Sequence, residues 1–218
     1  MSIVHYPLSI VHYPLNKPLL LGARAFSSIF RPQFFPLVGF LVLFICTYLS
    51  LLPLYFKATI LLFVALGTLV LPRMTIRAWR KMNGLKLHHL RFRENRYFPY
   101  LINILFYAFT LYLISRFHLP HYMGGILVAA LMIQISCAFV NLWWKISTHC
   151  AGAGGVIGAL VAFSFIFYFN PLWWLSLCIF ISGLVGSSRL LLRQHDLWQV
   201  IAGTLLGIIC GFTGILLS

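Results

Sequence analysis

Ser188-Arg189-Leu190-Leu191-Leu192-Arg193-Gln194-His195-Asp196 is the one charged break between residues 171 and 218, with apolar runs over 171–188 before it and 196–217 after it. Each run approaches the ~20 apolar residues that a helix needs to cross a bilayer. Charge at membrane depth costs at least ~2.5 kcal/mol per residue on insertion scales. Two arginines, a histidine and an aspartate gathered at one boundary therefore mark either a functional site or an interfacial loop that meets lipid headgroups. This stretch alone leaves both readings open.

The same ruler, moved towards the N-terminus, gives further spans near 35–53, 56–72, 97–115, 122–143 and 150–169. The expected fold is an all-α polytopic transmembrane bundle of six or seven spans, because 35–72 can also form a hairpin that enters and leaves on one side. Composition agrees: 61% of the 218 residues are hydrophobic, 8% are charged and the mean hydropathy is +0.96, which excludes a soluble globular core. The five cysteines show neither CxxC nor Cys/His spacing, so no disulfide framework or zinc site is signalled. Two units are expected. Residues 1–34 form a tail containing the heptapeptide Ser-Ile-Val-His-Tyr-Pro-Leu twice (2–8 and 9–15) and an interfacial segment, and residues 35–218 form the membrane domain. The tail lacks the n- and h-regions of a signal peptide, and its Pro7 and Pro14 break helix.

Sixteen Lys and Arg against Glu94 and Asp196 give a net charge of +14, so the polar surface attracts anions. Headgroups and phosphates are the expected partners, and nucleic acid is not. The spans place all of these cations except Lys57 and Arg116 on one side, which the positive-inside rule makes cytoplasmic. Residues 73–96 form a basic interfacial loop in this reading. In it Arg73, Arg77, Arg80 and Lys81 recur at helical spacing, as an amphipathic collar on the headgroups would.

A second polar feature on that side is Lys145-Ile146-Ser147-Thr148-His149, followed by Gly152, Gly154, Gly155 and Gly158. Ser147 or Thr148 can cap the next helix, leaving its first N–H groups and positive dipole end to an anion beside Lys145 and His149. The glycines, with Gly203, Gly207 and Gly211, suit close helix packing and leave open a homodimer through the same faces. Two histidines, His149 and His195, thus stand at same-side boundaries among cations. Metal-free cleavage of a phosphate ester needs a nucleophile, an acid for the leaving oxygen and cations on the phosphoryl oxygens. Two carboxylates in the whole chain are too few for a magnesium site beside them, and no cofactor or metal is expected.

Ser188-Arg189-xxxxx-His195-xxx-Gln199 together with Lys145-Ile146-Ser147-Thr148-His149 resembles the third and second signature motifs of the type 2 phosphatidic acid phosphatase (PAP2) superfamily, over residues 144–218. The resemblance implies a helical bundle that hydrolyses or transfers the phosphate of a lipid phosphate or diphosphate. It implies His195 as the nucleophile forming a phosphohistidine, His149 as the acid, and Arg189, Lys145, Ser147 and Thr148 around the phosphate. The family's first motif, Lys-xxxxxx-Arg-Pro, is matched in spacing by Lys86 and Arg93, although Glu94 replaces the proline; Arg96, three residues before Pro99, is an equal candidate. Gln199 stands where the family has an aspartate that orients the nucleophile. Glutamine can accept a hydrogen bond from the ring but cannot neutralise it, so Asp196 or Glu94 is expected to help hold a histidine. A catalytically silent descendant that binds anionic lipids is the alternative. The resemblance further implies a bacterial inner-membrane protein with its site on the outer face, opposite to the side that the charge count makes cytoplasmic.

Overall fold

The computed structural model describes residues 17–46, 48–84, 97–116 and 121–218, and the regular structure in them is entirely helical. Seven segments are long and apolar enough to cross a membrane, the architecture of an all-α polytopic integral membrane protein. In chain order the helices are α1 (Lys17–Ile29), α2 (Phe35–Cys46), α3 (Leu54–Ala65), α4 (Leu71–Met82), α5 (Tyr97–Ser115), α6 (His121–Val140), α7 (Thr148–Phe167), α8 (Leu172–Leu191) and α9 (Leu197–Leu216).

Five of the expected spans coincide with α5 to α9, and the first two differ. The first apolar segment begins at Pro18 rather than at residue 35 and is broken near Pro32. Proline offers no N–H to a helix interior, so the chain turns through Pro32–Phe34 before α2 starts. The second segment runs on to Met82 instead of ending at residue 72: α3, a π turn over Leu66–Val70 and α4 follow one another without a break over 29 residues. The wider turn lies just ahead of Pro72, where the ring removes a backbone donor and crowds the preceding turn. At about 1.5 Å per residue this rod is about 43 Å long, more than the ~30 Å hydrocarbon layer. Arg77, Arg80 and Lys81 thus ride on the continuation of a spanning helix. Trp79 stacks on Phe98 at 4.4 Å and fastens that end to α5.

At the centre α7 and α9 lie backbone to backbone. A Cβ on Gly207 would fall on the backbone of Ala151 and Gly155, one on Gly211 on Gly155, one on Gly154 on Thr204, and one on Gly158 on Ile208 and Phe212. The glycine faces named from sequence are therefore taken up in packing within the chain. On one flank α2 and α6 close the bundle over Phe40, Phe44, Val64, Met123 and Leu127. On the other, α1 lies against α8, its Phe26 and the adjoining Phe30 packed on Cys150, Val185 and Val200. Residues 17–29 are in this way part of the packed bundle, across the boundary expected at residue 34.

Candidate functional site

The end of α8 explains how His195 is aimed. Gln194 N–H bonds Arg189 O at 3.1 Å and Arg193 N–H bonds Leu190 O at 2.9 Å, the paired closure of a Schellman turn. Its left-handed position, φ 49°, is filled by Arg193 rather than by glycine, a conformation that L residues with a Cβ adopt at a cost of about 1 kcal/mol or more. The turn reverses the chain so that Asp196 becomes the N-cap of α9, with Gln199 at the third helical position. Lys145 Nζ donates to Gln194 O at 2.6 Å and ties this loop to the one before α7.

His195 is 6% exposed, and its Nδ1 lies 2.9 Å from Gln199 Oε1. Gln199 Nε2 in turn donates to Asp196 Oδ2 at 3.1 Å. This chain of contacts selects a tautomer. A carboxylate only accepts, so the Gln199 amide must turn its NH₂ to Asp196 and its oxygen to the ring. A neutral ring then carries its proton on Nδ1 and leaves Nε2 unprotonated. The expectation that a carboxylate helps hold a histidine is met by Asp196, acting through Gln199. Asp196 is exposed, so its pull is screened by solvent. Gln199→Leu is expected to lower turnover by roughly 10- to 100-fold, as loss of an orienting partner does at metal-bound histidines, and Asp196→Asn by a few-fold. Gln199→Asp should not restore the family pattern, because two carboxylates would then face each other; adding Asp196→Asn should relieve it. Phosphate release by the single and double variants checks the order.

Around α7, Ser147 is the cap of the two candidates: Cys150 N–H donates to its Oγ at 3.4 Å. The resemblance assigned Ser147 to phosphate, but its side chain is fully buried and the hydroxyl is turned into the helix start and onto Cys150 Sγ at 3.1 Å. It shapes the turn instead. Ser147 N–H reaches Gln199 O at 3.4 Å, so the start of α7 abuts the first turn of α9. Thr148 and His149 do face open space. They line a cavity of about 310 Å³ with Arg31, Gln33, Asn103 and Gln134.

Arg189 is 8% exposed and donates from Nη1 to Ser27 Oγ of α1 at 2.8 Å. Neither Arg189 nor His195 is among the residues lining the cavity. The expected site residues thus form two groups: His195 with Gln199, Lys145 on the loop before them and Arg189 bonded to α1, and Thr148 with His149 on the cavity. Lys86, Arg93, Arg96 and Glu94 lie outside the described residues, as do His5 and His12.

No family model, curated protein or solved structure matches this chain. The functional reading therefore rests on the residues themselves.

Sequence reasoning missed the cation of the cavity, Arg31. Arg31 stands at its rim, and Gln33 Oε1 accepts from Arg73 Nε at 2.8 Å while the Arg73 guanidinium lies 4.8 Å over the Phe34 ring. Arg73 is held in the bundle rather than on a collar. Asn103 and Gln134 were visible in the sequence as polar residues inside spans, which usually face a cavity or a polar partner.

Proposed function

We propose that the protein is a membrane-embedded PAP2-type phosphatase or phosphotransferase acting on a lipid phosphate or diphosphate through a phosphohistidine on His195, without a metal. The observation that supports it is the Asp196–Gln199–His195 chain, in which Gln199 orients the ring through Nδ1 although the usual aspartate is absent. In the proposed reaction Nε2 attacks phosphorus, forming the N–P bond as the P–O bond to the lipid breaks, and His149 gives its proton to the departing oxygen. Neutral His149 then takes a proton from water as the water oxygen attacks the phosphohistidine, returning inorganic phosphate and free His195. Arg189 and Arg31 supply cations for the phosphoryl oxygens. For the phosphate to meet both histidines it must reach past the start of α7, and to meet Arg189 it must displace Ser27 from the guanidinium.

That contact favours one other reading, an anionic-lipid binder that no longer turns its lipid over, with Arg189 permanently occupied by Ser27. The two separate in one experiment: phosphate release from a panel of lipid phosphates and diphosphates by purified protein in detergent with EDTA. Release that survives the chelator is expected. Absence of release from every lipid, by protein that remains folded and binds lipid, would select the binder.

A further inference from the structure

The last turn of α1 holds both arginines that the proposed reaction needs. Ser27 Oγ accepts from Arg189 Nη1 at 2.8 Å, and its neighbour Ser28 Oγ accepts from Arg31 Nη2 at 2.9 Å. The C-terminal end of a helix is also its negative pole. This turn therefore offers the guanidinium groups oxygens and partial negative charge, the two things that a phosphoryl group offers them. An anion that reaches Arg189 and Arg31 has to compete with α1 for both.

The rest of α1 lies on the bundle without being locked into it. Phe26 and Phe30, with ring centroids 4.6 Å apart, rest on Val185 of α8 and on Cys150 and Val200, which follow His149 and Gln199 in the chain. Ala23 and Ser27 are buried, whereas Leu19, Leu21, Arg24 and Ile29 are exposed, so one narrow face carries the contact, chiefly with α8. By contrast α7 and α9 meet backbone to backbone. Beyond α1 the chain passes through Arg31 in extended conformation, φ −73° and ψ 140°, and then Pro32, which cannot continue the helical ladder. A segment with few buried contacts is among the first to open in a folded protein. Arg31 is both the joint of this segment and a lining residue of the cavity of Thr148 and His149. The cover over Arg189 and the rim of that cavity are thus one stretch of chain.

We propose that α1 is an autoinhibitory strap: at rest its Ser27 and Ser28 occupy the two anion-binding arginines, and an incoming phosphate displaces them, so that α1 swings away about Arg31 and Pro32. This rests on the proposed reading of Arg189 and Arg31 as ligands of the phosphoryl oxygens. One movement then frees Arg189 and shifts the rim of the His149 cavity together. A site that is open only part of the time binds more weakly by that fraction, and a hydrogen bond to a charged group shifts such an equilibrium about ten-fold.

The test uses the full chain in detergent, with inorganic phosphate as the probe. Titration calorimetry should give Ser27→Ala an affinity about ten-fold higher than wild type. Ser27→Asp, which sets a carboxylate beside Arg189, should lower it about ten-fold or more. In phosphate release from dioleoyl phosphatidate the same order should appear in KM, with kcat little changed. Hydrogen exchange adds a readout on wild type alone, which stands even where a variant fails to fold. Bound ligand ordinarily slows exchange, yet saturating phosphate should speed it in residues 17–29 and leave α7 and α9 as slow as before. Phosphate binding by Ser27→Ala no tighter than wild type would overturn the strap, as would exchange in α1 that phosphate slows or leaves unchanged. Tighter binding by Ser27→Ala without release from any lipid would overturn the phosphatase reading and leave the strap standing. Release by wild type with no gain in Ser27→Ala would do the reverse.

Discussion

His195→Ala is expected to abolish phosphate release from every lipid that wild type turns over, lowering kcat by roughly 10³-fold or more, because the variant lacks the proposed nucleophile. The fold should survive. The change removes one buried ring and its hydrogen bond to Gln199, a loss of about 1 kcal/mol, and the Schellman turn before it is closed by backbone alone. The decisive measurement is a quench of wild type with labelled lipid phosphate, which should trap phosphoprotein that is stable to base and labile to acid, and no such species in the variant. A variant that still releases phosphate at the wild-type rate would remove His195 from the mechanism. His149→Ala gives a different signature, since an acid matters in proportion to the basicity of the leaving oxygen. Its deficit should be about 10²- to 10⁴-fold for a lipid alkoxide and should nearly vanish for a nitrophenyl phosphate ester.

Gly207→Leu is expected to prevent assembly of the bundle. A Cβ at this position would overlap the backbone of Ala151 and Gly155, and backbone cannot move aside as a side-chain end can. Overpacking of side chains already costs about 1–3 kcal/mol, and here two helices would have to separate along their whole contact. Gly203, one turn nearer the site, meets Ser147 in the same way, so the separation would also pull the cap of α7 away from Gln199. The expected result is loss of the monodisperse peak in detergent size-exclusion, with no measurable turnover. Gly183→Leu is the control: nothing lies within 4 Å of its Cβ, and it should leave the thermal midpoint within a degree or two of wild type, as surface substitutions within about 0.5 kcal/mol do. A Gly207→Leu protein as stable as the control would show that the α7–α9 contact does not hold the bundle together.

Most of the fold was legible because a bilayer imposes a length on apolar runs, and α5 to α9 obey it with short polar connections. Two features were not legible for a shared reason: Pro32 and Pro72 read alike as helix breakers. One does break the chain, ahead of α2, while the other is absorbed by the π turn over Leu66–Val70. Hydropathy does not report whether the preceding turn can widen. At the site, the His195–Gln199 pairing followed from four-residue spacing on one helical face. The link to Asp196 is equally local, an N-cap and its third helical residue. The contacts of Ser27 with Arg189, and of Gln33 with Arg73, join distant parts of the chain and carry no local pattern. Asn103 needed the position of α5 relative to α7 before it could be placed on the cavity beside His149.

The hydrogen bond from Arg189 to Ser27 spans 162 residues of chain, and this separation sets an order of assembly. α1 is made first, yet the guanidinium that its serine receives does not exist until α8 has been synthesised and inserted. α2 meets its partners once α6 and α7 are made, whereas this corner waits for α8. Arg189 is thus held by a contact that joins the first described helix to the eighth, and a chain that stops short of α8 leaves Ser27 without its guanidinium.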